Sequence, residues 1–151
     1  MKINIEKNIY KKIPAAECKK IVLAALGPLG KKEGEVGVIF LSGPDMRKLN
    51  KKFLGHDYET DVLSFNYARD GKFYGEIFVC PKVAAQNAPL YNQDVLTEIM
   101  MYAAHGALHL TGMDDATKKQ RAAMDRAALK ILNARRRPRR KSPARKPAQA
   151  K

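Results

Sequence analysis

Two of the chain's three histidines, His105 and His109, stand four residues apart in an apolar run that follows Asn92-Gln93-Asp94. No other feature constrains the fold as much. An α-helix brings residues i and i+4 to one face, one turn apart, so two neutral imidazoles there can grip one ion. Gly112 then ends the helix, because glycine accepts the left-handed backbone of a helix C-cap. The turn brings back Asp115 as a third donor. Two His and a carboxylate leave a tetrahedral Zn2+ with one open position, the arrangement of a catalytic site. The pair taken alone also reads as two core or surface histidines. Gly112 and the Asp114-Asp115 pair favour the metal, since each has a mechanical task in a three-donor site. Zinc peptidases place a general-base Glu directly after the first His. Here that position is Gly106, so the site is built to hold a metal without running the peptidase reaction.

The histidine helix is apolar nearly all round, through Val95, Leu96, Ile99, Met100, Ala103, Ala104 and Leu108, and is therefore expected to be the buried central one. Glu98 lies seven residues before His105, on roughly the same face. It is a candidate to orient a histidine or accept a proton, and equally a candidate to pair with a lysine. Asp114 is a candidate to move protons or to serve the turn.

Ahead of this helix the patterning is mixed. Residues 2–5 alternate as a first strand. Pro14-Ala15-Ala16-Glu17 opens a helix whose apolar face is Cys18, Ile21, Val22, Ala25 and Leu26, ended by Gly27-Pro28. Val36 to Leu41 reads as a buried strand. Ser42-Gly43-Pro44-Asp45 introduces a helix with Met46, Leu49, Phe53 and Leu54 on one side, and a polar loop, 55–60, follows it. Asp61 to Tyr67 and Gly75 to Cys80 form strands joined across a turn at Arg69-Asp70-Gly71-Lys72. Pro81 starts a short helix. A final helix is expected from about Ala116 to Ala134, with Ala123, Ala127 and Ile131 among its inward candidates. Strands placed mostly before long helices favour an α+β fold over a doubly wound α/β sheet.

Charge divides the chain in two. Of 29 Lys and Arg, nine fall in residues 135–151, which contain no acid. The rest carries 20 basic against 15 acidic residues, so the body is mildly basic and the tail strongly so. The expected division is a metal-binding domain, 1–134, and a basic tail, 135–151, disordered when free because it is poor in apolar residues and rich in proline. Arg135, Arg136, Arg137, Arg139, Arg140 and Lys141 are the candidates for nucleic-acid contact, by displacing counterions from phosphates. Cys18 and Cys80 lack metal-type spacing and read as reduced core residues. There is no signal-like apolar segment at the N-terminus and no run long enough to span a membrane. A cytoplasmic protein without a membrane partner is expected.

Three stretches resemble one family. His105 to Asp115 resembles the signature HGxLHLxGxDH of the YbeY family of bacterial rRNA-maturation factors, described as metal-dependent endoribonucleases. Leu49-Asn50 through Thr60-Asp61-Val62-Leu63-Ser64-Phe65 resembles its LN…TDVLSF segment. Gly75-Glu76-Ile77 resembles its GDI strand, and Glu98 falls at the acidic position before the first His. The resemblance implies a zincin-like α+β fold, with a small mixed sheet of about four strands packed on the His-bearing helix and flanking helices. It implies Zn2+ held by His105, His109 and Asp115, and rRNA with ribosomal small-subunit components as partners. The chain departs from the pattern at three places. Asp115 stands where the family has His, Leu54 follows Phe53 where the family commonly has Arg, and Glu76 replaces the Asp of GDI. An anionic third donor lowers the charge of the site, weakening the metal as a Lewis acid and its pull on phosphate. His56, two residues from Leu54, is either an exposed loop residue or a replacement cation. Asp61 and Ser64 either line the cleft or serve the strand. Two functional classes follow: a metal-dependent endoribonuclease, and a non-catalytic RNA-binding maturation factor with a structural or lost metal site.

Overall fold

A computed structural model describes residues 1–7 and 9–135. The elements in chain order are β1 (Lys2–Glu6), α1 (Ala15–Leu26), β2 (Gly34–Phe40), α2 (Gly43–Leu54), β3 (Val62–Arg69), β4 (Lys72–Val79), α3 (Pro81–Asn87), α4 (Val95–Leu110) and α5 (Lys118–Arg135), with single 3-10 turns at Gly27–Lys31 and Ala88–Tyr91. The architecture is α+β. One sheet of order β1-β2-β4-β3 is parallel across its first three strands and antiparallel between β4 and β3.

Local chemistry sets the boundaries. The Ser42 hydroxyl accepts from the Asp45 amide and starts α2, and Gly55, at φ 73°, ends it in the left-handed region. Asp70 and Gly71, both with positive φ, make the two-residue turn between β3 and β4. The Asp94 carboxylate accepts from the Thr97 amide at 2.7 Å and caps α4. Thr117 and Gln120 cap each other's backbone amides at 3.0 and 2.9 Å, a reciprocal box that starts α5 at Lys118, two residues later than its apolar pattern alone predicts.

Alternation divides the sheet into a core face and an open face. Ile3, Val36, Val38, Phe40, Ile77 and Val79 point into the core, where α1 contributes Cys18, Ile21, Val22, Ala25 and Leu26. Helix α4 is central, as its composition predicts: twelve of its sixteen residues are buried. It lies directly on β3 and β4. A Cβ at Gly106 would stand 2.4 Å from Ile77 Cγ2 and 3.1 Å from Val62 Cγ2. The Ser64 hydroxyl donates to the Gly106 carbonyl at 2.8 Å, tying the same strand to the same turn.

The packing of two helices refines the sequence reading. On α5, Ala127 and Ile131 pack half-buried against the core, as expected, and Met124, Ala128 and Leu132 with Asp125 are more deeply buried. Helix α5 packs against both α1 and α4, which widens its inward face beyond the three expected residues. On α2, Met46 is buried, but Phe53 and Leu54 are 55% and 49% exposed. Phe53 meets Phe65 with ring centroids 5.2 Å apart, and the Lys52 ammonium lies 5.3 Å from its ring centroid.

Among the described residues no helix is long and apolar enough to cross a membrane. Arg135 closes α5, exposed, while Arg136, Arg137, Arg139, Arg140 and Lys141 lie outside the described residues.

Candidate metal centre

The end of α4 and the turn after it assemble the site. Gly112, at φ 99°, reverses the chain, and its amide donates to the His109 carbonyl at 3.0 Å. The reversal carries Asp115 back alongside His109, whose Nε2 stands 3.3 Å from Asp115 Oδ2. The other ring nitrogen, Nδ1, is 3.2 Å from the Met113 carbonyl. A carbonyl only accepts, so this contact is a hydrogen bond when Nδ1 carries the proton, the tautomer that would leave Nε2 free for a metal beside Asp115. This is the outer contact that orients metal-binding histidines. Two donors each bound to one tetrahedral zinc stand about 3.3 Å apart, and the observed spacing fits that. The loop is held from both sides. Asp114 Oδ1 accepts from the Asp115 amide at 2.8 Å, and Arg121 donates to the carbonyls of Asp115 and Ala116 at 3.3 and 3.2 Å.

His105 is placed differently. It is buried at 7% exposure, one turn deeper, with its Nε2 3.0 Å from Asp125 Oδ1 on α5. The contact is close, but the buried Nε2 has no hydrogen-bond partner among the described residues. His105 and His109 thus each turn Nε2 towards an aspartate, but towards different ones. Among the described residues no three His, Cys, Asp or Glu side chains gather into one metal-sized cluster. The donor chemistry nevertheless suits a divalent ion: two imidazoles on one helix face, carboxylates beside them, and an orphaned buried nitrogen.

The remaining candidates separate by environment. Glu98 is fully buried in the first turn of α4 and accepts from the Gln93 side-chain amide. One turn on, Tyr102 receives a hydrogen bond from Asn87 at 3.0 Å. Burial nonetheless pushes its phenol well above the usual range, and the neighbouring Glu98 adds to the rise. Asp114 is exposed and serves the turn. Asp61 caps the start of β3, its Oδ1 accepting from the Val62 amide at 2.7 Å, and Ser64 is the strand-to-helix tie described above. His56 is exposed and stacks on Tyr58, centroids 5.4 Å apart. Glu76 faces the open side of the sheet, away from α4, so its exchange for Asp does not touch the histidines. Asn50, at the LN position, is buried and donates to the Tyr58 carbonyl at 2.9 Å, fixing the loop after α2. Both cysteines are free and buried, as expected. Burial pushes the Cys18 thiol up to about 12 and raises that of Cys80 as well.

Asp125 and Arg121 escaped the sequence reading. The only signal for them is an acid and a base one turn apart on a helix that begins next to the signature, and that spacing is common on solvated faces.

Comparison with known proteins finds relatives of one name. The family model described as endoribonuclease YbeY matches residues 2–136. A protein of that name from Elusimicrobium minutum is 54% identical over 116 residues, covering 74% of this chain and 81% of the relative. One from Chlorobium phaeovibrioides is 33% identical over 137 residues, covering 89% and 93%. The solution structure of TM1509 from Thermotoga maritima superposes with a TM-score of 0.62 at 30% identity, covering 88% of both chains.

Proposed function

This chain belongs to the YbeY family, and from that premise we propose that it is an rRNA-maturation endoribonuclease of the cytoplasm, working on single-stranded RNA in ribosome biogenesis. In this reading His109, Asp115 and His105 hold Zn2+. The observation that carries it is the 3.3 Å approach of His109 Nε2 to Asp115 Oδ2, with the imidazole oriented from behind by the Met113 carbonyl.

Zinc bound there would act as a Lewis acid on a phosphodiester oxygen and on the attacking hydroxyl. The rest falls to the chain's own side chains. The Met113 carbonyl can accept from His109 Nδ1 and so orient the ring with Nε2 towards the ion. Arg121, donating to the Asp115 and Ala116 carbonyls, keeps the loop in register and brings a cation to the edge of the site, where a phosphate would approach. Asp114 is exposed beside Asp115 and is the carboxylate best placed to take or return a proton. Glu98, buried beneath Gln93, braces the first turn of α4 from inside. A peptidase reading has no support, because position 106 has no room for even a methyl group. The basic residues 135–151 supply sequence-blind, salt-sensitive attraction to RNA. rRNA and small-subunit components are the partners in this reading.

A second reading keeps the RNA and drops the chemistry. Leu54, where the family commonly carries Arg, is half-exposed and brings no charge, and an anionic Asp115 weakens the ion. Elemental mass spectrometry of untagged protein, with Asp115→Ala beside it, starts the test. About one zinc per chain, lost in the variant, is expected. Cleavage of single-stranded RNA should then require metal and disappear in His109→Ala while RNA affinity survives. Cleavage that is equal in wild type and His109→Ala, or unaffected by chelator, would sink the enzymatic reading. Metal without any cleavage would leave the non-catalytic one.

A further inference from the structure

Large apolar side chains cluster on the surface at one place. Phe53, Leu54 and Tyr58, at the end of α2 and in the loop after it, are all exposed. Apolar residues scattered singly over a surface need no explanation, but a cluster marks a contact surface. The loop that carries this one is tied down. The Gly55 and His56 amides donate to the carbonyls of Lys51 and Asn50 at 3.1 and 3.3 Å. The buried Asn50 side chain donates to the Tyr58 carbonyl at 2.9 Å, and Arg47 Nε donates to Asp57 Oδ1 at 2.7 Å. Groups other than the rings thus fix the backbone, and Phe53 and Tyr58 each stay 55% exposed on it.

The chemistry around the rings selects the partner. His56 stacks on Tyr58 with centroids 5.4 Å apart and planes 9° from parallel, and the Lys52 ammonium lies 5.3 Å from the Phe53 centroid. Asp57 is taken by Arg47 and Lys51, at 2.7 and 3.9 Å, and Glu59 by Lys82 at 2.9 Å. Lys48 and Lys52 are exposed and form no ion pair among the described residues. An apolar protein partner would bury those ammonium groups without a counter-charge, which is costly. A single-stranded nucleic acid offers both complements, phosphates for the lysines and flat bases for the rings. We infer that the end of α2 and the loop after it form a stacking platform for single-stranded RNA, with Phe53 and the His56–Tyr58 pair against bases and Lys48 and Lys52 against phosphates. The inference rests on the RNA reading above and adds a contact on the folded body, separate from residues 135–151. Phe53 meets Phe65 of β3, and the adjacent Ser64 bonds the Gly106 carbonyl beside His105. Successive strand residues face opposite sides of a sheet, and β3 is an edge strand. RNA lying on the platform can therefore pass round that edge towards the histidine helix.

The test is binding of the full chain, with chelator present so that nothing is cleaved, to two labelled strands of equal length. One is a mixed-sequence single-stranded RNA, the other an abasic sugar-phosphate strand. Both rings are exposed, so the fold should survive their removal. Phe53→Ala and Tyr58→Ala should each weaken RNA binding about fivefold or more, leave abasic binding unchanged and keep the slope of log affinity against log salt. Tyr58→Phe should bind as wild type does. Lys48→Gln combined with Lys52→Gln should instead lower that slope by about 1.4, at about 0.7 per phosphate contact. RNA affinities of Phe53→Ala and Tyr58→Ala within about twofold of wild type overturn the platform and leave RNA binding by residues 135–151 standing. Equal losses on the two strands also overturn it, because the rings would then act through the fold and not by stacking. Wild type that binds neither strand overturns the RNA reading as well. A wild-type dimer that Phe53→Ala dissolves, with RNA affinity kept, reassigns the surface to a second copy of the chain and overturns the platform.

Discussion

Gly106 shows how one residue does two jobs that look unrelated in the sequence. Next to a histidine it reads as a missing general base. In the fold it is the point where α4 touches the sheet, with no space for a Cβ. Gly106→Ala should therefore lose about 1–3 kcal/mol to overpacking, at roughly 2–4 °C of Tm per kcal/mol for a domain of this size. Ser64→Ala, which removes only the hydrogen bond to the same residue, should cost about 1 kcal/mol. A Tm for Gly106→Ala equal to wild type would show that the helix does not press on Ile77. The cysteines make a second residue-level prediction. Burial raises the Cys18 thiol to about 12, above its unfolded value near 9. Its contribution to stability is therefore complete below pH 9 and is lost as pH rises from 9 to 12. Native protein at pH 8 should leave both thiols unmodified by an aromatic disulfide reagent, and denatured protein should release two equivalents. Rapid labelling of the native protein would contradict the buried placement.

Helices α4 and α5 are defined by their caps as much as by their apolar faces. Asp94 and the Thr117–Gln120 box each satisfy backbone amides that would otherwise be unpaired. Asp94→Ala and Thr117→Ala should each lower stability by about 1 kcal/mol. Only the second should also weaken zinc binding, because it frees the loop that presents Asp115. Equal metal affinity in the two variants would argue that the loop is held by Arg121 and Gly112 alone. Most of these boundaries are legible from the sequence, since Asp, Ser, Thr and Gly act within three or four residues of themselves. The inward face of α5 is not. Its alanines fit two adjacent faces equally well, and contact with α1 and α4 together buries residues of both, Ala128 most deeply.

For the molecule as a whole, metal and tail should act on different quantities. Zinc at a hundred times its dissociation constant should add about 2.7 kcal/mol to stability, visible as a fall in Tm on chelation. Removing residues 136–151 should leave Tm and zinc content unchanged, weaken RNA binding and flatten its salt dependence, because fewer phosphates are neutralised. An unchanged salt slope would move RNA contact to the folded body.

Sequence alone determined the chain order of strands and helices, the α+β class, the buried helix and the identity of its two histidines. Those follow from periodicity, caps and turn residues, which are local. Tertiary structure decided which nitrogen each histidine turns towards, and with which partner. The approach of Asp115 to His109 is local enough to be anticipated, six residues and one glycine turn away. The approach of Asp125 to His105 is not. It arises only when α5 packs on α4.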